Sequence, residues 1–204
     1  MKIILHQEDI PKSLKIGDSV AIDTETMGLN PLRDRLCLVQ LSTGNKTCHI
    51  IQYKKNKILK SPNLIKILKN KKILKIFHYA RFDVTILNYN FNINVNSIYC
   101  TKIASKLVRT FTNNHGLKDL CNDLLNIKIA KTNQCSDWGR DKLSKSQLNY
   151  AATDVLYLHD LRKILNKMLQ REKRVDLANS CFNFINNKTE LDLLGWNQTD
   201  IFDH

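Results

Sequence analysis

The N-terminal half reads mainly as strands and the sequence turns helical after Tyr99, and this order constrains the fold more than any other feature of the 204-residue chain. Ser19–Asp23 is apolar and ends in a carboxylate, and Leu36–Ser42 alternates. Thr47–Ile51 follows a turn at Thr43-Gly44-Asn45, as in a meander. Pro62 opens a short helix through Leu68, and Lys72–Phe77 reads as a buried strand. Ala80–Tyr89 then carries Phe82, Ile86 and Tyr89 at helical spacing. After Tyr99, Thr101–Val108 and Leu117–Leu125 are short amphipathic helices. Ser144-Lys145-Ser146-Gln147 is a capping box that starts a long helix to about Arg171, and a last helix covers Val175–Asn186. Strands first and helices after, with βαβ character between, predict an α/β layer structure around a mixed central sheet flanked by helices.

The chain carries 32 Lys and Arg against 19 Asp and Glu, a formal charge of +13, which suits a polyanionic partner such as nucleic acid. No acidic residue lies between Asp34 and Asp83, where Lys54, Lys55, Lys57, Lys60, Lys66, Lys69, Lys71, Lys72 and Lys75 crowd together. This run either touches substrate or is a solvated face rich in Lys, as an AT-rich genome encodes at tolerant positions. The tail from Glu190 to His204 is the opposite, with Glu190, Asp192, Asp200 and Asp203 and no Lys or Arg. No apolar stretch reaches the ~18 residues of a membrane span, and the N-terminus lacks the apolar core of a signal peptide. A soluble cytoplasmic protein is expected. Its six cysteines (Cys37, Cys48, Cys100, Cys121, Cys135, Cys181) form no C-x-x-C pair, so free thiols are expected.

Chemistry concentrates in three places. Asp23 and Glu25, two apart on a strand, point to one side, where like charges repel unless a cation lies between them. Asp83 falls in the first turn of a helix, a position that the helix dipole alone favours. Tyr150 and Asp154, four apart, share a helix face with Tyr157 and Leu161, so Tyr150 also reads as a core aromatic. Each element is weak alone. In order, D-x-E, Asp, then Y-x-x-x-D, they resemble the DEDDy 3'-5' exonucleases, the superfamily of ribonuclease D and polymerase proofreading domains.

Gln134-Cys135-Ser136-Asp137-Trp138-Gly139-Arg140 is similar to ribonuclease D as well. The segments Ala21–Pro31, Tyr99–Ser105, His115–Cys121, Leu191–Trp196 and Asp200–Phe202 resemble the short nano-RNase C (NrnC) branch. The resemblance implies a ribonuclease H-like exonuclease fold, in one exonuclease domain over residues 1–204 without the helical HRDC modules of full ribonuclease D. It implies that Asp23, Glu25, Asp83 and Asp154 hold two divalent ions. An all-oxygen donor set suits Mg²⁺ or Mn²⁺. It also implies that Tyr150 orients or deprotonates the attacking water. Leu29 resembles an apolar wedge between the last two bases, and the backbone around Thr26 and Met27 would face the terminal sugar. His78, Ser136 and Trp138 are candidates for further substrate contacts, with a packing role the alternative for Trp138. Tyr79 departs from the wider superfamily, where Asn often follows the His.

The implied activity is release of nucleoside 5'-monophosphates from diribonucleotides and short RNA. Trimming of structured RNA ends and general DNA or RNA exonuclease action are the alternatives. An inactive nucleic-acid-binding module is the rival of a different class. Relatives of this branch form ring-like octamers, which implies a homo-oligomer with the tail at residues 190–204 in its contacts.

Overall fold

The computed structural model describes residues 1–55, 59–129 and 136–203. The strands are β1 (Lys2–Gln7), β2 (Ser19–Thr26), β3 (Leu36–Ser42), β4 (Thr47–Gln52), β5 (Leu74–Phe77) and β6 (Ile98–Cys100). The helices are α1 (Pro62–Lys69), α2 (Ala80–Phe91), α3 (Thr101–Val108), α4 (Leu117–Leu125), α5 (Lys145–Leu156), α6 (Leu158–Arg171) and α7 (Val175–Leu193). The strands form one mixed sheet in the order β1-β4-β3-β2-β5-β6. β3 runs antiparallel to β2 and β4, while β2, β5 and β6 are parallel. Every residue of β3 is buried, as its central place requires. Helix α5 lies over β1 to β4, and α2 packs on β2, β5 and β6 with α7 beside it.

Parallel pairing puts the C-terminal ends of β2 and β5 at one end of the sheet, and that end carries the chemistry. β2 runs three residues beyond the expected Asp23, to Thr26, so the carboxylates lie within the strand rather than at its end. Two strands escaped the sequence pattern. β1 is an edge strand of exposed and half-buried residues, and β6 has only three residues before α3 begins.

The capping box at α5 is present, with the Ser144 hydroxyl accepting from Gln147 N and the Gln147 amide accepting from Ser144 N. The expected single helix to Arg171 is two, parted at Tyr157 without a Gly or Pro. Each half has its own partners: α5 buries Ala151, Ala152 and Val155 against the sheet, and α6 buries Leu158, Leu161, Leu165 and Leu169 and packs on α3 and α4. α7 continues past Asn186 to Leu193, so the acidic segment begins inside a helix. Its Asp192 is held by Arg81 at 2.5 Å and Lys188 at 2.6 Å.

The basic run divides. Lys75 is fully buried, its Nζ donating to the carbonyls of Asn70 and Ile73, each at 2.6 Å, so it touches neither solvent nor substrate. Burial lowers its pKa to about 8. Lys69, Lys71 and Lys72 lead into the N-terminus of β5, at the opposite end of the sheet from the carboxylates. Lys54 and Lys55 follow β4 at the carboxylate end, and Lys57 lies outside the described residues. Cys37, Cys48, Cys100 and Cys121 are buried free thiols, Cys181 is a half-buried one, and Cys135 lies outside the described residues. Among the described residues, no helix is long and apolar enough to cross a membrane.

Candidate active site

Strand alternation puts Asp23 and Glu25 on the face of β2 that α5 covers, and α5 brings Asp154 onto them. One carboxylate oxygen from each of Asp23, Glu25 and Asp154 lies within 4.8 Å of the other two. Among the described residues this is the one such group of His, Cys, Asp or Glu. Asp83 enters from the first turn of α2, buried, with its Oδ1 accepting from Thr24 Oγ1 at 2.7 Å. Thr24 alternates to the other face of β2, so it joins the D-x-E strand to α2. That middle residue is the one the sequence reading passed over, although the same alternation that pairs Asp23 with Glu25 points Thr24 away from them.

The cluster is hostile to its own charge. Burial raises the pKa of Asp23 well above its ordinary value, with the charges of Asp83, Asp154 and Glu25 adding to it. Burial likewise lifts Glu25 to about 9, Asp83 to about 8 and Asp154 to about 7. For Glu25 the neighbouring Asp154 and Asp83 charges add, whereas for Asp83 the Thr24 hydrogen bond opposes the rise. Acids pressed together in this way are relieved by protons or by a cation. The donor set fits a hard divalent cation, since it offers only carboxylate oxygen.

Tyr150 stands one turn before Asp154 on α5, half-buried, with its ring centroid 6.0 Å from that of Trp138. The segment 136–141 is tied down from three sides. Gln147 Nε2 donates to Asp137 O, Arg35 Nη2 to Gly139 O, and Gln52 Nε2 to the carbonyls of Arg140 and Asp141. Gly139 comes so close to the residue that follows β2 that a Cβ there would meet Met27 Sδ at 2.5 Å. Trp138, a candidate for stacking on a base, is 3% exposed. Its ring packs against that of Tyr150. Ser136 is half-buried at the start of the segment. Gln134 and Cys135 of the same motif lie outside the described residues.

The remaining candidates surround the mouth. The Thr26 hydroxyl donates to Gly28 O, and Met27 and Leu29 are exposed, Leu29 by 83%. Gly28 permits this loop, because a Cβ there would fall 2.2 Å from Asp34 Oδ2, which accepts from Asn30 N. Leu29 also lines a cleft of about 560 Å³ shared with Tyr79, Arg81, Phe82 and Asp192. His78 is half-buried, its Nδ1 2.9 Å from Thr101 Oγ1, and that hydroxyl donates to Phe77 O. Burial, with Lys102 nearby, drives the His78 pKa down to about 3, so its ring is neutral. Tyr79 has a left-handed φ of 71° at the start of α2, with Lys102 Nζ 4.3 Å from its ring centroid.

A family model described as 3'-5' exonuclease matches residues 5–170. The chain belongs to the 3'-5' exonuclease family. It is 30% identical over 177 residues to ribonuclease D of Bartonella henselae, covering 85% of this chain and 43% of that one. The chain thus spans about two fifths of the length of the ribonuclease D relatives it matches. Brucella melitensis NrnC with bound Mg²⁺ superposes with a TM-score of 0.94 at 48% identity, over 100% of both chains. Brucella melitensis NrnC bound to pGG gives 0.95 at 49%, over 100% of this chain and 99% of that one. The exonuclease is therefore of the ribonuclease D and NrnC type, with their mixed-sheet fold, and its family depends on divalent metal.

Proposed function

We propose that this exonuclease releases nucleoside 5'-monophosphates from the 3' ends of very short RNAs, diribonucleotides above all, in the cytoplasm. The observation that carries this reading is the end-to-end likeness to NrnC bound to pGG. Asp23, Glu25 and Asp154 would hold one divalent ion, and Asp83 would help to hold a second. Such ions, when bound, would supply an activated water and stabilise charge on the leaving 3'-oxygen.

The chain's own groups do the rest. The Tyr150 hydroxyl orients the attacking water or takes its proton, a contribution of roughly 10²–10⁴ in rate. The packing of Trp138 against its ring limits where that hydroxyl can go. Leu29, exposed at the mouth, wedges between the two bases, while the backbone at Thr26 and Met27 meets the terminal sugar. Neutral His78 offers its ring edge, and Ser136 its hydroxyl, to the substrate backbone. A site filled by two nucleotides takes all its binding from them, and each polar group a longer strand leaves unpaired costs about 1–3 kcal/mol. The protein acts as a homo-oligomer, supported by the exposed Leu194, Trp196, Ile201 and Phe202 of the tail.

The test is kcat/KM on 5'-phosphorylated RNAs of two, three, five and seven nucleotides. The value is expected to be highest for the dinucleotide. Equal or rising values with length leave a general exonuclease. The ribonuclease D relatives favour a second reading, trimming of structured RNA ends, which a hairpin with a 3' overhang in the same series decides.

A further inference from the structure

Arg35 stands where three segments at the carboxylate end of the sheet meet. It is half-buried just before β3, at the close of the loop that carries Leu29. Its backbone O accepts from Met27 N at 3.1 Å, which shuts that loop at its base. Its guanidinium forks: Nη1 donates to Tyr53 O and Nη2 to Gly139 O, each at 3.0 Å. A planar guanidinium presents its donors in a fixed geometry, so gripping two acceptors at once sets their segments in one relation.

The two acceptors belong to different kinds of structure. Tyr53 is an anchor. It is buried, its N donates to Cys37 O at 2.9 Å, and its hydroxyl lies 2.7 Å from Ser61 Oγ. Gly139 belongs to the segment 136–141, which lies in neither helix nor strand. Of the other side chains that hold this segment, Gln147 rides on α5 with Tyr150 and moves with that helix, while Gln52 grips farther along, at Arg140 and Asp141. Arg35 ties the residue next to Trp138 to the body of the sheet. The approach is close, with Nη2 only 3.0 Å from where a Cβ of Gly139 would stand. The buried Trp138 ring then meets the Tyr150 ring at an interplanar angle of 38°. A continuous path of contacts runs from Tyr53 through Arg35, Gly139 and Trp138 to Tyr150.

We propose that Arg35 is a positioning residue for Tyr150: by pinning Gly139 to Tyr53, it holds the Trp138 ring against Tyr150 and so fixes where the Tyr150 hydroxyl points. The proposal rests on the reading that Tyr150 handles the attacking water. Charge alone does not do this task, since a lysine in place of Arg35 keeps the charge and loses the fork. A reacting group misplaced by about 1 Å can lose roughly 100-fold in rate.

The test measures kcat and KM on the dinucleotide pGG at saturating Mn²⁺ for Arg35→Met and Arg35→Lys, each alone and combined with Tyr150→Phe. In both single variants kcat should fall about tenfold with KM and Mn²⁺ affinity little changed. Neither should slow Tyr150→Phe further, because the hydroxyl they misplace is already gone. A second readout is fluorescence: Trp196→Phe leaves Trp138 as the one tryptophan of the chain, and its emission should move to longer wavelength when Arg35 is replaced. A merely structural arginine would lower the Tm and leave kcat and the Trp138 emission unchanged, and that result overturns the proposal. So do wild-type kcat in Arg35→Lys, an equal loss of kcat in the Tyr150→Phe background, and failure of both variants to fold. If Tyr150→Phe is slow and the Arg35 variants are not, the role of Arg35 alone falls. If Tyr150→Phe itself turns over as wild type does, the reading of Tyr150 falls and takes this proposal with it.

Discussion

Burial raises the pKa of Asp23, Glu25, Asp83 and Asp154, with neighbouring carboxylate charges adding for Asp23, Glu25 and Asp83, and this has a measurable sign. Each holds its proton more tightly folded than unfolded. As pH climbs above the ordinary values of 3.8 and 4.5, the unfolded chain releases protons that the folded one keeps, so stability falls. The Glu25 share of the fall runs until pH passes about 9. In EDTA the Tm is expected to drop across that window. Added Mg²⁺ should restore it, most at the alkaline end, by mass action on a site that must lose its protons. A Tm in EDTA that is flat with pH would contradict the clustering. Single substitutions separate the roles: Asp23→Asn, Asp83→Asn and Asp154→Asn should each remove nearly all turnover with a native far-UV CD spectrum. Tyr150→Phe keeps the packing on Trp138 and loses only the hydroxyl, so turnover should fall about tenfold or more with Mn²⁺ affinity little changed. Wild-type rates in Tyr150→Phe would return Tyr150 to the core.

Helix α5 carries both Tyr150 and Asp154, so its N-terminal cap is a test of how element stability feeds the site. Ser144→Ala leaves the Gln147 amide N–H without its acceptor and should cost about 1 kcal/mol, read from urea denaturation. Activity should change far less, because the buried Ala151, Ala152 and Val155 hold the helix on the sheet. The same element shows what the sequence makes legible. A cap is local chemistry, so the start of α5 could be read from four residues. The break at Tyr157 could not, because it reflects the different packing partners of α5 and α6 and no Gly or Pro marks it. β6 is too short for any period, and β1 is an edge strand paired on one side only. In the site, the ordered carboxylate motifs were legible through their resemblance to the DEDDy exonucleases, and the structure gathers Asp23, Glu25 and Asp154. The burial of Trp138 and the Thr24–Asp83 bond arise only when distant segments pack.

At the scale of the molecule, a +13 chain should attract any RNA, yet its cations are unevenly placed around the carboxylates. Lys69, Lys71 and Lys72 sit at the far end of the sheet, while Lys54 and Lys55 sit at the carboxylate end. The far group would act on RNA through the long-range field rather than by contact, and that field is screened beyond about 8 Å at physiological ionic strength. Salt therefore separates the two substrate classes. For single strands, log affinity falls with log salt at about −0.7 per neutralised phosphate, so a fourfold rise in salt weakens binding about threefold for each such phosphate. A dinucleotide has too few phosphates to respond strongly. A heptanucleotide that follows the basic surface responds several times more steeply. KM measured over such a salt range should rise modestly for the dinucleotide and steeply for the heptamer, so that the preference for short RNA sharpens as salt increases. Parallel slopes would mean that the longer strand engages no more cations than the dinucleotide does, and that the basic surface steers RNA without gripping it.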